Sequence, residues 1–360
     1  MPQDIGPSTR LFATTKTAPR FDFSRMAAVT QIRDSADIIG LTLNHLRDVG
    51  FKKFVVADHG STDDTLDIVR HCARRFSDCE IAVLEDPVGA FKQAEKVTAL
   101  ATLARNYFNT DWILPYDADD FFWAAPGPDV DLDACGDFIE LPWLQAHPGL
   151  TPFTQLPRLL QAPQLTTMFA TKLPKVLFKW QPDRVLGTGF HRVFRRTLPP
   201  LKGVDGGALG LASLHFPLRT NEQFRSKIVG GQHAVHVEGV SEQICSHWRK
   251  AFALIDGSNH AALDKLFEHF WNRDGEAFDD LCRKHGIEPK TLAYVHDMVV
   301  GDPLTFPAQP LPQEAARKRK ARSVWSVRPR SDMSALEHKM VQGWKRWQRV
   351  LQPGVEAVRT

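Results

Sequence analysis

The chain has 360 residues, 43% of them hydrophobic and 24% charged, with 45 Lys and Arg against 42 Asp and Glu. That balance belongs to a soluble globular protein, and a net charge of +3 excludes a molecule built as a whole around polyanion binding. Five scattered cysteines without a C-x-x-C pair argue against a disulfide framework and read as reduced residues of a cytoplasmic protein, while no apolar run approaches the ~20 residues of a membrane span.

In chain order, residues 1–25 are polar and rich in Pro, Thr and Ser, and read as a loose tail. Residues 26–32 (MAAVTQI) form a first strand. Residues 37–49 place Ile39, Leu43, Leu46 and Val49 on one helical face, with Gly50 as the stop. Residues 51–57 (FKKFVVA) are a second strand, and the turn His59-Gly60-Ser61-Thr62-Asp63-Asp64-Thr65 leads into a capped helix. A strand at 80–84, a helix at 90–108 and a strand at 112–116 follow. This alternation predicts an α/β fold with a mainly parallel sheet flanked by helices.

Such a sheet gathers its strand ends at one rim, where open α/β sheets bind ligands. The rim would carry Arg33 and Asp34, then Asp58, then Asp117-Ala118-Asp119-Asp120. In extended backbone Asp117 and Asp119 point to one side. Two carboxylates so placed repel each other unless a cation lies between them, and Mg2+ or Mn2+ suits oxygen ligands shared with a diphosphate. Similar spacing at Asp129, Asp131 and Asp133, beside Pro126, Gly127 and Pro128, reads as a solvated loop, so the spacing alone defines no site. Arg33 has two readings, a phosphate contact or a solvated charge. Asp58 likewise either accepts hydrogen bonds from a nucleotide or stabilises its own turn.

The stretch Val55-Val56-Ala57-Asp58-His59-Gly60-Ser61-Thr62-Asp63-Asp64-Thr65, followed about 50 residues later by Asp111-Trp112-Ile113-Leu114-Pro115-Tyr116-Asp117-Ala118-Asp119-Asp120-Phe121, resembles the family 2 glycosyltransferases of GT-A fold. The likeness is to the bacterial branch with D-N-G-S-T-D-G-T and D-A-D-E-F motifs, and this chain has His59, Asp64 and Asp120 where Asn, Gly and Glu are usual. The resemblance implies a GT-A, Rossmann-like fold over roughly residues 26–230. It also implies a nucleoside diphosphate sugar donor, Asp58 on the nucleotide base, and Asp117 and Asp119 holding Mg2+ or Mn2+ on the donor's diphosphate. Inverting members need a carboxylate base; Asp120 is the first candidate for that catalytic role, with Asp137, Glu140 and Glu222 open.

Residues 126–200 are rich in Pro and aromatics, with a strand expected at 138–143 (FIELPW). Trp143, Trp180 and Phe190 have two readings, sugar stacking or core, and Lys175, Lys179, Arg184, His191 and Arg192 two, phosphate contacts or solvated surface. Leu214-His215-Phe216-Pro217-Leu218-Arg219 through Lys227 resembles the same branch's H-[YF]-P-x-R-S-x-E-Q-F-x-x-K stretch, which makes His215 a third metal ligand, a phosphate contact or a buried structural histidine. His233, His236 and Glu238 are a rival metal grouping whose spacing also fits an exposed strand.

The expected division is a tail (1–25), a catalytic domain (26–240), a helical appendage (241–300), a Pro-rich then basic linker (301–322) and a basic amphipathic helix (323–360). That last segment, with Trp325, Trp344 and Trp347 among Lys and Arg, reads as a solvated helix packing its Trp face, a peripheral contact to the inner face of the membrane, or a nucleic-acid binder. The expected partners are the donor and a saccharide or glycolipid acceptor, in bacterial surface polysaccharide or glycolipid synthesis, without nucleic acid. The alternatives are a nucleotidyltransferase, which would carry a Gly-rich phosphate loop that residues 31–37 lack, and a non-catalytic module acting through the basic tail.

Overall fold

The computed structural model describes residues 21–86, 92–125, 131–150, 168–195, 199–235, 246–252, 254, 260–292 and 294–301. The linker and basic segment beyond residue 301, and the grouping of His233, His236 and Glu238, lie outside the described residues or side chains.

Strand β1 (Met26–Ile32) is buried along its whole length. Its alternate side chains serve two cores: Met26, Ala28 and Ile32 enter one apolar cluster, Ala27 and Val29 the other. Strands β2 (Lys53–Asp58), β3 (Glu80–Glu85) and β4 (Trp112–Pro115) join it in parallel, in the order β4-β1-β2-β3. Helices α1 (Ile39–Val49) and α2 (Thr65–Arg75) cover the first core through Leu43, Leu46, Val69 and Ala73. Helix α3 (Gln93–Phe108) covers the second through Val97, Leu100 and Ala104. Gly50 ends α1 at φ 122, a conformation that disfavours a Cβ, and donates its N–H to the carbonyls of Leu46 and Arg47. Phe21 and Phe23, within the expected tail, are buried, and Phe23 stacks on Phe51 at 5.2 Å. Packing therefore begins before residue 26.

The remaining strands are β5 (Asp120–Ala124), β6 (Phe138–Leu141), β7 (Trp143–Ala146), β8 (Met168–Ala170), β9 (Lys175–Lys179), β10 (Arg184–Leu186), β11 (Val193–Arg195), β12 (Gly203–Asp205) and β13 (Leu211–His215). Antiparallel β9 extends the main sheet beyond β4, giving β12-β6-β9-β4-β1-β2-β3; a second sheet runs β5-β13-β7-β8, and β10 and β11 form a hairpin. The single strand expected at 138–143 is two. Pro142 lacks the N–H to continue a ladder, and its carbonyl accepts from Ser213 N at 2.9 Å, turning the chain into the second sheet.

Helices α4 (Asn221–Val235), α5 (Ser246–Phe252), α6 (Ala261–Asn272), α7 (Gly275–Lys284) and α8 (Tyr294–Val300) follow. Residues 221–235 are thus helical, against the strand reading of the stretch that includes His233. Phe224, Ile228, Leu263, Leu266, Phe270, Phe278 and Met298 share one apolar cluster with Phe169 and Leu218. Each such side chain contributes about 1.5–3 kcal/mol when buried, so the helices are bound to the second sheet, and the helical layer starts before residue 241. No helix among the described residues is long and apolar enough to cross a membrane.

Candidate active site

The carboxylate stretch sits at the C-terminal end of β4, but it is not extended. Asp120 N donates to Asp117 O at 2.9 Å, closing residues 117–120 into a tight turn. The expected same-side projection of Asp117 and Asp119 therefore fails, because a turn does not keep the two-residue alternation of a strand. Helix α1 grips this turn: Thr42 Oγ1 donates to the Ala118 carbonyl, and His45 Nε2 donates to that of Phe122 at 2.6 Å. Burial lowers the His45 pKa to about 4 against the pull of that carbonyl, so the ring is neutral.

One pole of the turn is closed. Lys175, at the start of β9, places Nζ 2.6 Å from Asp117 Oδ2 and 2.9 Å from Asp120 Oδ2, with a side chain 2% exposed. The ammonium lies over the rings of Trp143 and Phe190, 4.5 and 5.4 Å from their centroids. Burial works against its charge, and the two carboxylates outweigh burial and raise its pKa. The other oxygens are engaged too: Gln93 Nε2 donates to Asp117 Oδ1 and Trp143 Nε1 to Asp120 Oδ1, both at 2.9 Å. Asp120 thus fits the expected role of proton acceptor poorly, since both its oxygens already accept from a buried indole or ammonium. Lys175 is not solvated surface, and Trp143 is a buried hydrogen-bond donor.

His191 adjoins this pole, its ring 4.9 Å from that of Trp143. Its Nδ1 donates to the Pro174 carbonyl at 2.8 Å. Burial first, then the Lys175 charge, lower its pKa to about 4 against that carbonyl's pull, so the imidazole is neutral. Gly189 makes room for it: at φ 73, a Cβ there would lie 2.6 Å from His191 Nε2. Gly189 N also donates to Gln93 Oε1 at 2.9 Å, tying this loop to Asp117.

The other pole is Asp119. His215 Nε2, at the end of β13, lies 3.3 Å from Asp119 Oδ1, and Lys227 Nζ of α4 lies 2.7 Å from Oδ2, with Arg219 Nη1 at 3.7 Å. Burial opposes ionisation of Asp119, but Lys227, His215 and Arg219 outweigh it and hold the carboxyl well below its usual range. Arg219 is itself fixed by a bidentate pair with Asp37 at 2.6 and 2.9 Å. His215 Nδ1 lies 2.6 Å from Gln145 Oε1, and its ring stacks on Trp143 at 4.7 Å.

At the neighbouring strand ends, Asp58 is buried and occupied by its own turn: Ser61 N donates to Oδ2 at 3.0 Å and Ser61 Oγ to Oδ1. Arg33 is 33% exposed and pairs with Asp34 at 3.3 Å. Asp34, at φ 45, accepts from Thr62 N at 2.7 Å and so joins the first loop to the second. His59 Nδ1 donates to Asp86 Oδ2 at 2.8 Å, and Lys96 bonds the same oxygen, all three residues being buried. Burial lowers the Lys96 pKa against the opposing effect of Asp86.

Sequence reasoning missed Gln93, Gln145, Asp37, Asp86 and Lys96. Asp86 alone carried a usable signal, because it ends a strand at the same rim as Asp58 and Asp117. Of the remaining candidates, Asp137 is taken by Arg184 at 2.6 Å and by Lys202 N at 2.8 Å. Glu140 is raised in pKa by burial and by Asp205, with Arg192 opposing. Glu222 is exposed in the first turn of α4.

Among the described residues no three His, Cys, Asp or Glu converge on one point as a metal cage. The Asp119 pole nevertheless has the donor set of a two-ligand site. His215 Nδ1 bonds Gln145 Oε1, an outer-shell partner of the kind that orients metal-binding histidines, and Nε2 lies 3.3 Å from Asp119 Oδ1. Two protein ligands suffice for a hard cation that fills its other positions with water and phosphate. Asp117 is instead bonded by Gln93 and Lys175.

No family model matches the chain, and no curated protein matches it. Solved structures with some likeness include the mannosyltransferase PcManGT from Pyrobaculum calidifontis in complex with GDP-Man and Mn2+. It has 21% identity, over 37% of this chain and 39% of that one, with a TM-score of 0.25. S. aureus TarS has 15% identity, over 76% of this chain and 52% of its own, with a TM-score of 0.27. The chain thus spans less than two thirds of either protein, and likeness at these scores carries no argument about substrate or reaction.

Proposed function

We propose that the chain is a GT-A glycosyltransferase that moves a sugar from a nucleoside diphosphate sugar to an acceptor hydroxyl. The observation that supports this best is the Asp119 pole. A carboxylate from the β4–β5 turn, a histidine from the end of β13 and a lysine and an arginine from the next segment meet where open α/β sheets bind ligands. A carboxylate and an oriented imidazole suit a divalent cation, and the adjacent cations suit a diphosphate.

Asp119 and His215 would hold Mg2+ or Mn2+, which when bound neutralises the charge that develops on the departing nucleoside diphosphate. Lys227 and Arg219 act on the same charge from the protein side, and Asp37 keeps the guanidinium in place. Gln145 fixes the His215 ring. The loop built by Asp34, Asp58, Ser61 and Thr62 forms the nucleotide end, with Arg33 toward solvent. In this reading Asp58 shapes that loop through Ser61. An inverting transfer to a saccharide or glycolipid acceptor, as the family resemblance implies, needs a proton acceptor, and Glu140 and Glu222 remain candidates.

The test is thermal unfolding with UDP, GDP, CDP and dTDP, each with and without Mn2+, since a ligand of the folded state raises its apparent stability. A metal-dependent rise for one nucleotide, lost in D119N, is the expected result. No rise with any nucleotide would sink the transferase reading and favour a binding module.

A further inference from the structure

We infer that Lys175 is the resident cation of the Asp117 and Asp120 pair, a positioning residue that fixes both carboxylates and keeps a divalent ion off them. Two carboxylates held close together in a turn, one of them buried, call for a positive charge, and a metal ion is only one source of it. Here the ammonium reaches Oδ2 of both residues at hydrogen-bond distance, and its side chain is 2% exposed. The ring faces of Trp143 and Phe190 lie over it. Gln93 and Trp143 hold the remaining two carboxylate oxygens. A divalent ion could reach the pair only by displacing Lys175, which would leave an ammonium buried without a counter-charge.

Two consequences follow from this occupancy. Any metal on the turn is confined to the Asp119 and His215 side. Asp120 also has both oxygens committed to Lys175 and Trp143, which leaves it badly placed to take a proton from a substrate. The role concerns the charge balance of the turn and holds whatever reaction the rim performs.

The experiment is thermal unfolding of the full chain in EDTA and in Mn2+, without nucleotide, for wild type, K175M and K175R. Each is also made in a D119N background, so that any metal response at Asp119 is removed. In EDTA, K175M is expected to melt roughly 10 °C lower than wild type, the effect of an uncompensated buried charge in a chain of this size. Mn2+ should restore at least half of that loss, because the vacated position now accepts a metal, whereas K175R should respond to Mn2+ as wild type does. A merely packed lysine would give no such rescue. Equal Mn2+ shifts with and without Lys175, or a K175M protein as stable as wild type in EDTA, would overturn the proposal. Should K175M yield no folded protein, the D117N/K175M variant decides. Recovery of folded protein on removing one carboxylate supports the charge pairing, and failure of both variants overturns it. No outcome involves turnover, so this result and that of the nucleotide panel can fail separately.

Discussion

The two poles of the 117–120 turn differ in how their charge is met. At the first, Lys175 comes from a strand, is enclosed by aromatic rings and is 2% exposed. At the second, Lys227 comes from a helix and is 22% exposed, and a histidine oriented by an amide shares the carboxylate. A buried ion pair is costly to break, whereas a half-open one can exchange its cation. The first pole is thus built for permanence and the second for exchange.

The largest expected effect strikes the closed pole. D120N leaves Lys175 with one carboxylate instead of two and should cost about 3 kcal/mol in chemical denaturation, while leaving any Mn2+ response at Asp119 intact. Loss of that response together with stability would merge the two poles into one site.

Acid should act on the same side. The unfolded chain protonates His45 and His191 near the ordinary histidine pKa, whereas the folded chain does so only at about 4. The unfolded state therefore binds more protons between those values, and stability falls as pH drops from about 6.5 toward 4. The loss should be on the order of 3 kcal/mol for His45 and less for the half-buried His191, read as urea midpoints at pH 7 and pH 4.5. Asp119, held well below the usual carboxylate range, stays ionised through that window. A flat profile would show that neither ring is held neutral.

At the open pole, Q145L should weaken Mn2+-dependent nucleotide binding by about 10–100-fold, because it frees the His215 ring. Its melting temperature in EDTA should move little by comparison. Unchanged metal affinity, measured by titration calorimetry, would remove His215 from the ligand set. The smallest effect is that of K227M on stability, about 1 kcal/mol in denaturant titration, because His215 and Arg219 still face Asp119 when the ammonium is gone. A loss several times larger would mean that the second pole is as fixed as the first.

Much of the first 120 residues was readable because local signals agree there. Apolar runs such as FVVA give buried strands, Gly50 stops a helix, and Asp58 with Ser61 closes a turn by neighbouring contacts. The second sheet was not readable, since its strands are 3–5 residues long and pair only through distant segments. The role of Lys175 was hidden for a related reason. A lysine after a proline looks like surface, and what buries it is a turn 58 residues earlier in the chain. Conversely, the cation argument drawn from Asp117 and Asp119 assumed extended backbone, whereas residues 117–120 turn and Lys175 supplies positive charge beside Asp117.

The crossing at Pro142 has a mechanical meaning. Leu141 ends a strand of the main sheet and Trp143 begins one of the second, so a single residue couples two β layers. Trp143 then reaches back to Asp120, while β5 and β13 flank the same carboxylate turn. A shear of one layer against the other would pull on this one-residue link and on the Lys175–Asp120 ion pair, which joins β9 of the main sheet to β5 of the second. Opening of the rim must therefore come from its loops and from α4, with the two layers exchanging amide hydrogens as one cooperative unit.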